Sequence, residues 1–86
     1  MANVKLAYKV ENNLDEYITK EVGKRMAKTG IKVLQVDIMN EIADYCGVGF
    51  ENIKRIKRNV SQPSLGVALK IADYFDEKVE NIFKIS

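Results

Sequence analysis

Four basic side chains lie within one short stretch in the middle of the chain, where their spacing suits binding to an anionic polymer. Residues 49–62 hold four basic residues and one acidic residue, Glu51, so the stretch has a net charge of +3. The whole chain carries only +2, and the rest of it therefore sums to −1. The positive charge is a local patch, which is typical of a surface that binds phosphates. The four basic residues are Lys54, Arg55, Lys57 and Arg58.

Histidine is absent from the chain, and this argues against most enzyme mechanisms. Without imidazole there is no Ser-His-Asp triad, no Cys-His nucleophile and no histidine base or zinc ligand. Cys46 is the single cysteine, so we expect no intrachain disulfide. The carboxylates near the end of the chain, Asp73, Asp76, Glu77 and Glu80, lack calcium-loop spacing and are expected to be solvated. We therefore expect no enzyme, no metal site, no cofactor and no small-molecule substrate.

Length and composition indicate one soluble folded domain. The chain has 86 residues, of which 47% are apolar and 30% are charged. This balance is typical of a packed core and not of a disordered segment. No run approaches the about 18 apolar residues that a membrane span needs, and no signal-like stretch follows Met1. We expect a cytoplasmic protein.

The start of the chain has the alternation of a β-strand. Over residues 3–10, apolar side chains alternate with lysines and with Ala7. Because an isolated strand is unstable, we expect it to pair either with residues 83–86 or, across a two-fold axis, with its counterpart in a second chain. This predicts an N-terminal extension over residues 1–12 and a second region over residues 13–86. One side of the strand carries Val4, Leu6, Tyr8 and Val10.

Two helices are predicted in the first half of residues 13–86. The first begins at Leu14, with Asn13 and Glu16 as a capping box, and ends at Gly30. The second begins with Asp37 as its cap and ends at Gly47. Residues 31–36 fit a loop, a short strand or the lead into the second helix, and they are left unassigned.

Three more helices are predicted after the glycine-containing turn at residues 47–49. The third places Ile53, Ile56 and Val60 inward and its basic residues outward. Two short helices joined by such a turn, the second with a basic face, form a helix-turn-helix arrangement. Ser64 is expected to cap the fourth helix, and residues 79–83 suggest a short fifth. The inward face predicted for the fourth helix is Leu65, Ala68, Leu69, Ala72 and Phe75.

Several spaced stretches between Ile38 and Phe83 resemble the phage-repressor (Cro/XRE-type) helix-turn-helix family. That family's pattern reads L-A-x-x-x-G-V-S-x-x-x-I-x-x-I-E-x-G-x-x-x-P-S-L. The matching stretches are residues 42–48 (IADYCGV), Ile53, Ile56, residues 62–65 (QPSL), residues 68–72 (ALKIA) and, for the family's last helix, residues 79–83 (VENIF). The resemblance implies a mainly α fold: a compact five-helix, repressor-like helix-turn-helix domain with a short N-terminal β-strand extension.

The same resemblance implies a sequence-specific regulator of transcription that binds double-stranded DNA. Such a protein would be a repressor of phage, plasmid or other mobile-element type, and it would associate with the nucleoid when bound. It would read the major groove with the helix around residues 50–58 and act as a homodimer, since one helix covers few base pairs. The positions implied for base reading are Phe50, Glu51, Asn52 and Arg55. Those expected on phosphates are Lys54, Lys57, Arg58, Asn59 and Ser61.

Four residues depart from the family's pattern, and two of them, Lys57 and Asn59, support an alternative function together with the acidic second helix. Lys57 stands in place of Glu, Asn59 in place of Gly, and Gly49 in place of a capping Ser or Thr. Met39 stands in place of a Gln that bonds a phosphate. Residues 36–48 also carry a net charge of −3, which would repel DNA. The alternative is a degenerate helix-turn-helix that acts as a protein–protein interaction module.

Overall fold

Five helices and a small antiparallel sheet make up residues 9–85, the part of the chain that the computed structural model describes. The prediction of a mainly helical fold is confirmed. The predicted strand over residues 3–10 lies outside the described residues, apart from Lys9 and Val10. The elements in chain order are β1 (Val10–Asn12), α1 (Leu14–Thr29), α2 (Gln35–Cys46), α3 (Phe50–Lys57), α4 (Leu65–Tyr74), α5 (Val79–Ile82) and β2 (Phe83–Ile85).

Glycine and serine delimit the helices where the sequence predicts it. Gly30 and Gly47 follow α1 and α2 in the left-handed conformation, with φ of 70° and 72°. Glycine adopts this conformation without a steric penalty, so each residue stops its helix. Ser64 caps α4, because its hydroxyl oxygen accepts a hydrogen bond from the Val67 N–H at 3.2 Å.

The predicted cap of α1 and the predicted start of α2 are corrected by the hydrogen bonds. α1 begins at Leu14, but the capping box of Asn13 and Glu16 is wrong. The Asn13 N–H donates to the Ile82 carbonyl at 3.1 Å, which ties Asn13 to α5, and the Asn12 side chain accepts from the Leu14 N–H instead. α2 begins two residues before Asp37, whose carboxylate reaches back to the Leu34 N–H at 2.9 Å.

All five helices contribute apolar side chains to one core. α2 supplies the largest share, and α3 contributes two isoleucines that are completely buried. Because these residues recur at helical spacing, their burial on one face of each helix follows from the periodicity of the sequence. The buried residues are Leu14, Ile18, Ile38, Met39, Ile42, Ala43, Ile53, Ile56, Ala68, Ile71, Ala72 and Ile82.

Three residues predicted to face inward are exposed. Val60 is 67% exposed because it follows Asn59, where the chain leaves the helical path. Leu65 and Leu69 are 73% and 49% exposed, and Ile71 occupies the core beside Ala68 and Ala72 instead. The inward face of α4 is therefore rotated from the predicted one.

The small sheet joins the two ends of the described chain. β1 and β2 pair antiparallel, with Val10 opposite Ile85 and Asn12 opposite Phe83. Pairing with the C-terminal segment is thus confirmed for Val10. The strand also continues to Asn12, beyond the predicted end, and the predicted pairing across a two-fold axis concerns residues outside the described part.

Candidate nucleic-acid interface

The basic helix α3 is anchored to the core through one face. Ile53 and Ile56 are completely buried, and Phe50 packs half-buried against the same core. Gly49 lies in the cap position without a side-chain bond, and the Asn52 N–H donates to its carbonyl at 3.1 Å. Packing of the isoleucines, and not a capping side chain, therefore holds the helix.

The opposite face of α3 is exposed and polar. Successive residues of an α-helix are rotated by about 100°, so Glu51 and Arg55 lie one turn apart on one side. Asn52 and Arg58 flank them, and all four side chains are exposed. We call these four residues the outer face. Between residues 9 and 85, the ion pairs involve none of them.

The other predicted contact residues lie at the edges of the outer face or turn away from it. Lys54 is half-buried beside it. The Lys57 ammonium lies 3.6 Å from an Asp15 carboxylate oxygen, and only 20% of the Lys57 side chain is exposed. Ser61 is half-buried, and its N–H points to the Arg55 carbonyl at 3.4 Å. The structure thus groups Glu51, Asn52, Arg55 and Arg58, with Lys57 directed toward α1.

Asn59 closes the C-terminal end of α3. It adopts a left-handed conformation with φ of 59°. Its N–H donates to the Ile56 carbonyl at 3.0 Å, and the Val60 N–H donates to the Arg55 carbonyl at 2.9 Å. This is the bonding of a Schellman motif, in which asparagine is the common substitute for glycine. The replacement of Gly by Asn therefore leaves a tight helix end.

The negative charge of α2 is partly compensated within the protein. The Arg25 guanidinium donates two hydrogen bonds to the Glu41 carboxylate, at 2.7 and 2.8 Å. The Tyr74 hydroxyl donates to the same carboxylate at 2.8 Å. Bonding to Arg25 lowers the pKa of Glu41, while burial, with the bond to Glu41, raises the pKa of Tyr74 to about 12. Glu41 is thus held by α1 and α4.

Replacing Glu41 with glutamine is expected to remove a pH-dependent part of the stability. The pKa of Glu41 is lower in the folded state than its ordinary value of 4.5, so its stabilising effect is complete above pH 4.5. It is lost as the pH falls through the lower, folded-state pKa. Because the side chain is 45% exposed, we expect only about 0.5–1 kcal/mol at pH 7. Urea denaturation at pH 7 and pH 3 checks this: the loss of stability of Glu41→Gln relative to wild type should be smaller at pH 3 than at pH 7. An equal difference at both pH values would contradict it.

The side chain at position 39 of α2 is not available to bind a phosphate. Met39 is 4% exposed and belongs to the core. Gln35, in the first turn, donates to the Thr19 hydroxyl at 2.9 Å. Asp37 and Asp44 are exposed on the same helix. Position 39 therefore offers no polar side chain to a phosphate.

Two residues that the sequence does not reveal hold the end of α3 and the loop after it. The Asn12 amide donates to the Ile56 carbonyl at 2.7 Å and to the Asn59 side-chain oxygen at 3.1 Å. The Gln62 amide donates to the Val10 carbonyl at 2.9 Å. The partners of these bonds are between 44 and 52 residues apart, so no local pattern reveals them. Two successive asparagines before a helix, Asn12 and Asn13, are typical of a helix cap, but they do not indicate a bond to α3.

The described residues also include one cysteine and a groove. Cys46 is half-buried, and burial raises the pKa of its thiol. Within residues 9–85, no three Cys, Asp or Glu side chains could jointly hold a metal ion, and no helix is long and apolar enough to cross a membrane. A groove of about 490 Å³ is lined by Lys9, Val10, Gln62, Pro63, Leu65, Ala68, Val79 and Phe83.

Comparison with known proteins adds no family assignment. No protein-family model matches the chain, and a search of curated proteins finds no significant match. The outer face of α3 and its supporting contacts are therefore the basis for assigning a function.

Proposed function

We propose that the chain is a sequence-specific regulator of transcription that binds double-stranded DNA through a repressor-like helix-turn-helix fold. The observation that carries the proposal is the outer face of α3, an exposed polar surface on a helix whose opposite face is buried. α2 and α3 are joined by residues 47–49, the short connection that a helix-turn-helix requires. In this function α3 enters the major groove and α2 lies across its entrance.

Three outer-face residues suit the reading of base edges. Arg55 can donate two hydrogen bonds to guanine O6 and N7, and Asn52 can bond adenine N6 and N7. Glu51 can accept a hydrogen bond from the cytosine amino group. Phe50 is half-buried, and we propose that the exposed part of its ring contacts a thymine methyl. Sequence discrimination is therefore assigned mainly to the exposed polar residues.

Two cations on and beside the outer face are placed to bind phosphates of the DNA backbone. Arg58 is exposed, and Lys54 is half-buried beside it. Phosphate contacts fix the position of a protein on the duplex without reading sequence. Lys57, Asn59 and Ser61 also remain proposed phosphate contacts, and Lys57 would have to leave Asp15 to make one. We assign the main backbone contacts to Arg58 and Lys54.

The hydrogen bonds of Glu41 reduce the repulsion that the acidic helix α2 would exert on DNA. Its carboxylate faces Arg25 and Tyr74, so the charge is offset by a guanidinium within hydrogen-bond distance. Asp37 is engaged by the Leu34 N–H. The exposed carboxylate that remains on α2 without such a bond in the described part of the chain is Asp44. Repulsion of DNA by α2 is accordingly weaker than its net charge suggests.

Binding as a homodimer is part of the proposal. One recognition helix spans only a few base pairs, and two-fold related copies place their helices in half-sites one helical turn apart. The operator should therefore be an inverted repeat. The DNA upstream of the chain's own gene is the first duplex to test.

Binding of DNA should weaken steeply as salt is added. With about three phosphate contacts per chain, a dimer would make about six, which predicts a loss of about a thousandfold in affinity between 50 and 200 mM salt. Fluorescence anisotropy with a labelled duplex measures this slope. The same series with Arg58→Ala should show a shallower slope, by about one contact per chain. Binding that is insensitive to salt would contradict the proposal.

The protein–protein interaction module is the second candidate. The burial of Met39 favours it, because position 39 then offers no polar side chain to a phosphate. The exposed Asp37 and Asp44 on the same helix act in the same direction. If no duplex binds at low salt, including the region upstream of the chain's own gene, the interaction module is the better assignment.

A further inference from the structure

We propose that Asn12 is a positioning residue that sets the orientation of α3 and thereby the sequence discrimination of the protein. The inference rests on the proposed function, since it assigns to Asn12 a part in DNA reading. Asn12 lies in β1 and not in the helix-turn-helix segment. Its effect must therefore pass through α3.

One asparagine side chain joins the end of α3 to the start of α1. The Asn12 amide nitrogen donates to the Ile56 carbonyl at 2.7 Å, and its amide oxygen accepts from the Leu14 N–H at 3.0 Å. The Ile56 carbonyl already accepts from the Asn59 N–H at 3.0 Å, so the Asn12 amide is a second donor to it, from outside the helix. The same side chain accepts from the first N–H of α1.

The Asn59 side chain also bonds to Asn12. Its side-chain oxygen accepts from both the backbone N–H and the amide of Asn12, at 3.0 and 3.1 Å. Asn59 occupies the left-handed position that closes α3, so the bonds act at the point where the helix ends. Glycine there would permit the same backbone but would offer no side chain to β1.

Two further contacts hold the same end of α3 and the segment after it. The Lys57 ammonium lies 3.6 Å from the Asp15 carboxylate of α1. Gln62, in the loop after α3, donates to the Val10 carbonyl at 2.9 Å. β1 is itself paired with β2. The C-terminal end of α3 is therefore bonded to β1, and the sheet of β1 and β2 joins the two ends of the described chain.

The orientation of α3 matters more for base reading than for phosphate binding. Hydrogen bonds to base edges weaken steeply when their angle departs from linearity. Attraction between a cation and the phosphate backbone varies slowly with distance and has no such angular requirement. A small rotation of α3 should consequently reduce discrimination between sequences while leaving non-specific affinity almost unchanged.

The test uses Asn12→Ser with Asn81→Ala as its control. Serine adds no charge and keeps an oxygen that can accept from the Leu14 N–H, but it has no amide to reach Ile56. Asn81 is an exposed asparagine on α5, and its N–H groups donate to Glu77 and to the Lys78 carbonyl, not to α3. We expect Asn12→Ser to lower the ratio of specific to non-specific affinity about tenfold, with non-specific affinity and the salt slope unchanged. Asn81→Ala should match wild type.

Equal losses for cognate and unrelated duplexes would overturn the proposal, because they would indicate general destabilisation. An unchanged ratio would overturn it as well.

A measurement without DNA separates this inference from the proposed function. In the free protein, we expect the Asn59 and Val60 amides to exchange with solvent about tenfold faster in Asn12→Ser than in wild type, while α4 amides are unchanged. If wild type binds no DNA, the proposed function fails, and faster exchange still shows that Asn12 holds α3. Unchanged exchange at Asn59 and Val60 overturns the positioning role.

Discussion

Replacing Arg55 with alanine is expected to lower the affinity of the homodimer for the cognate duplex by at least about thirtyfold, since one base contact is lost in each half-site. Arg55 is exposed on the outer face, and the ion pairs among the described residues leave its guanidinium free for a base. A bidentate bond to guanine contributes about 1–3 kcal/mol of discrimination. Competition between cognate and base-substituted duplexes measures it. The preference for one base pair in each half-site should disappear, while the others remain.

Arg58→Ala is the matched control for this prediction. Arg58 carries the same charge and is exposed at the end of the same helix, but we assign it to the DNA backbone. Its loss should therefore weaken cognate and unrelated duplexes alike. If Arg55→Ala also weakened all duplexes to the same extent, the assignment of Arg55 to a base edge would be wrong.

Replacing Ile53 with alanine is expected to destabilise the fold by about 2–5 kcal/mol. Ile53 is completely buried and belongs to the core that joins α3 to the rest of the protein. Truncation removes buried methyl groups and leaves a cavity that the surrounding helices fill only partly. A domain of this size has a total stability of the order of 4–13 kcal/mol, so this loss is a large share of it. Urea denaturation followed by circular dichroism measures the difference.

Val60→Ala is the control for Ile53→Ala, because helical periodicity predicted both residues to be buried and the structure buries only Ile53. A helix continued past Asn59 would bury Val60, whereas the structure leaves it 67% exposed. The expected change is within about 0.5 kcal/mol, as for other surface substitutions. A loss for Val60→Ala comparable to that for Ile53→Ala would show that Val60 is buried and that the described end of α3 is wrong.

The helix boundaries that depend on one residue type are predictable from the sequence. Gly30 and Gly47 end α1 and α2, and Ser64 caps α4, because each acts through its own backbone or a neighbour three residues away. The start of α1 is different. Asn13 stands at the N-cap but makes no side-chain cap bond: its N–H donates to the Ile82 carbonyl, and the Asn12 side chain accepts from the Leu14 N–H instead. A long-range bond there overrides a local preference.

The outer face of α3 could also be anticipated, since helical periodicity alone separates Ile53 and Ile56 from Glu51, Asn52 and Arg55. What surrounds that face could not. The pairing of Glu41 with Arg25 and Tyr74 depends on α1, α2 and α4 meeting in space. The charge count of α2 thus overstated its negative surface.

A helical chain with a local cationic patch on an amphipathic helix follows from the amino-acid sequence, because periodicity and charge are properties of neighbouring residues. Which cations stay on the outer face, and what holds α3 in place, depends on the packing of the helices. Lys57 faces Asp15, and Asn12 bonds Ile56 across 44 residues of chain. Such contacts depend on how the helices pack, and packing is set by the whole core at once.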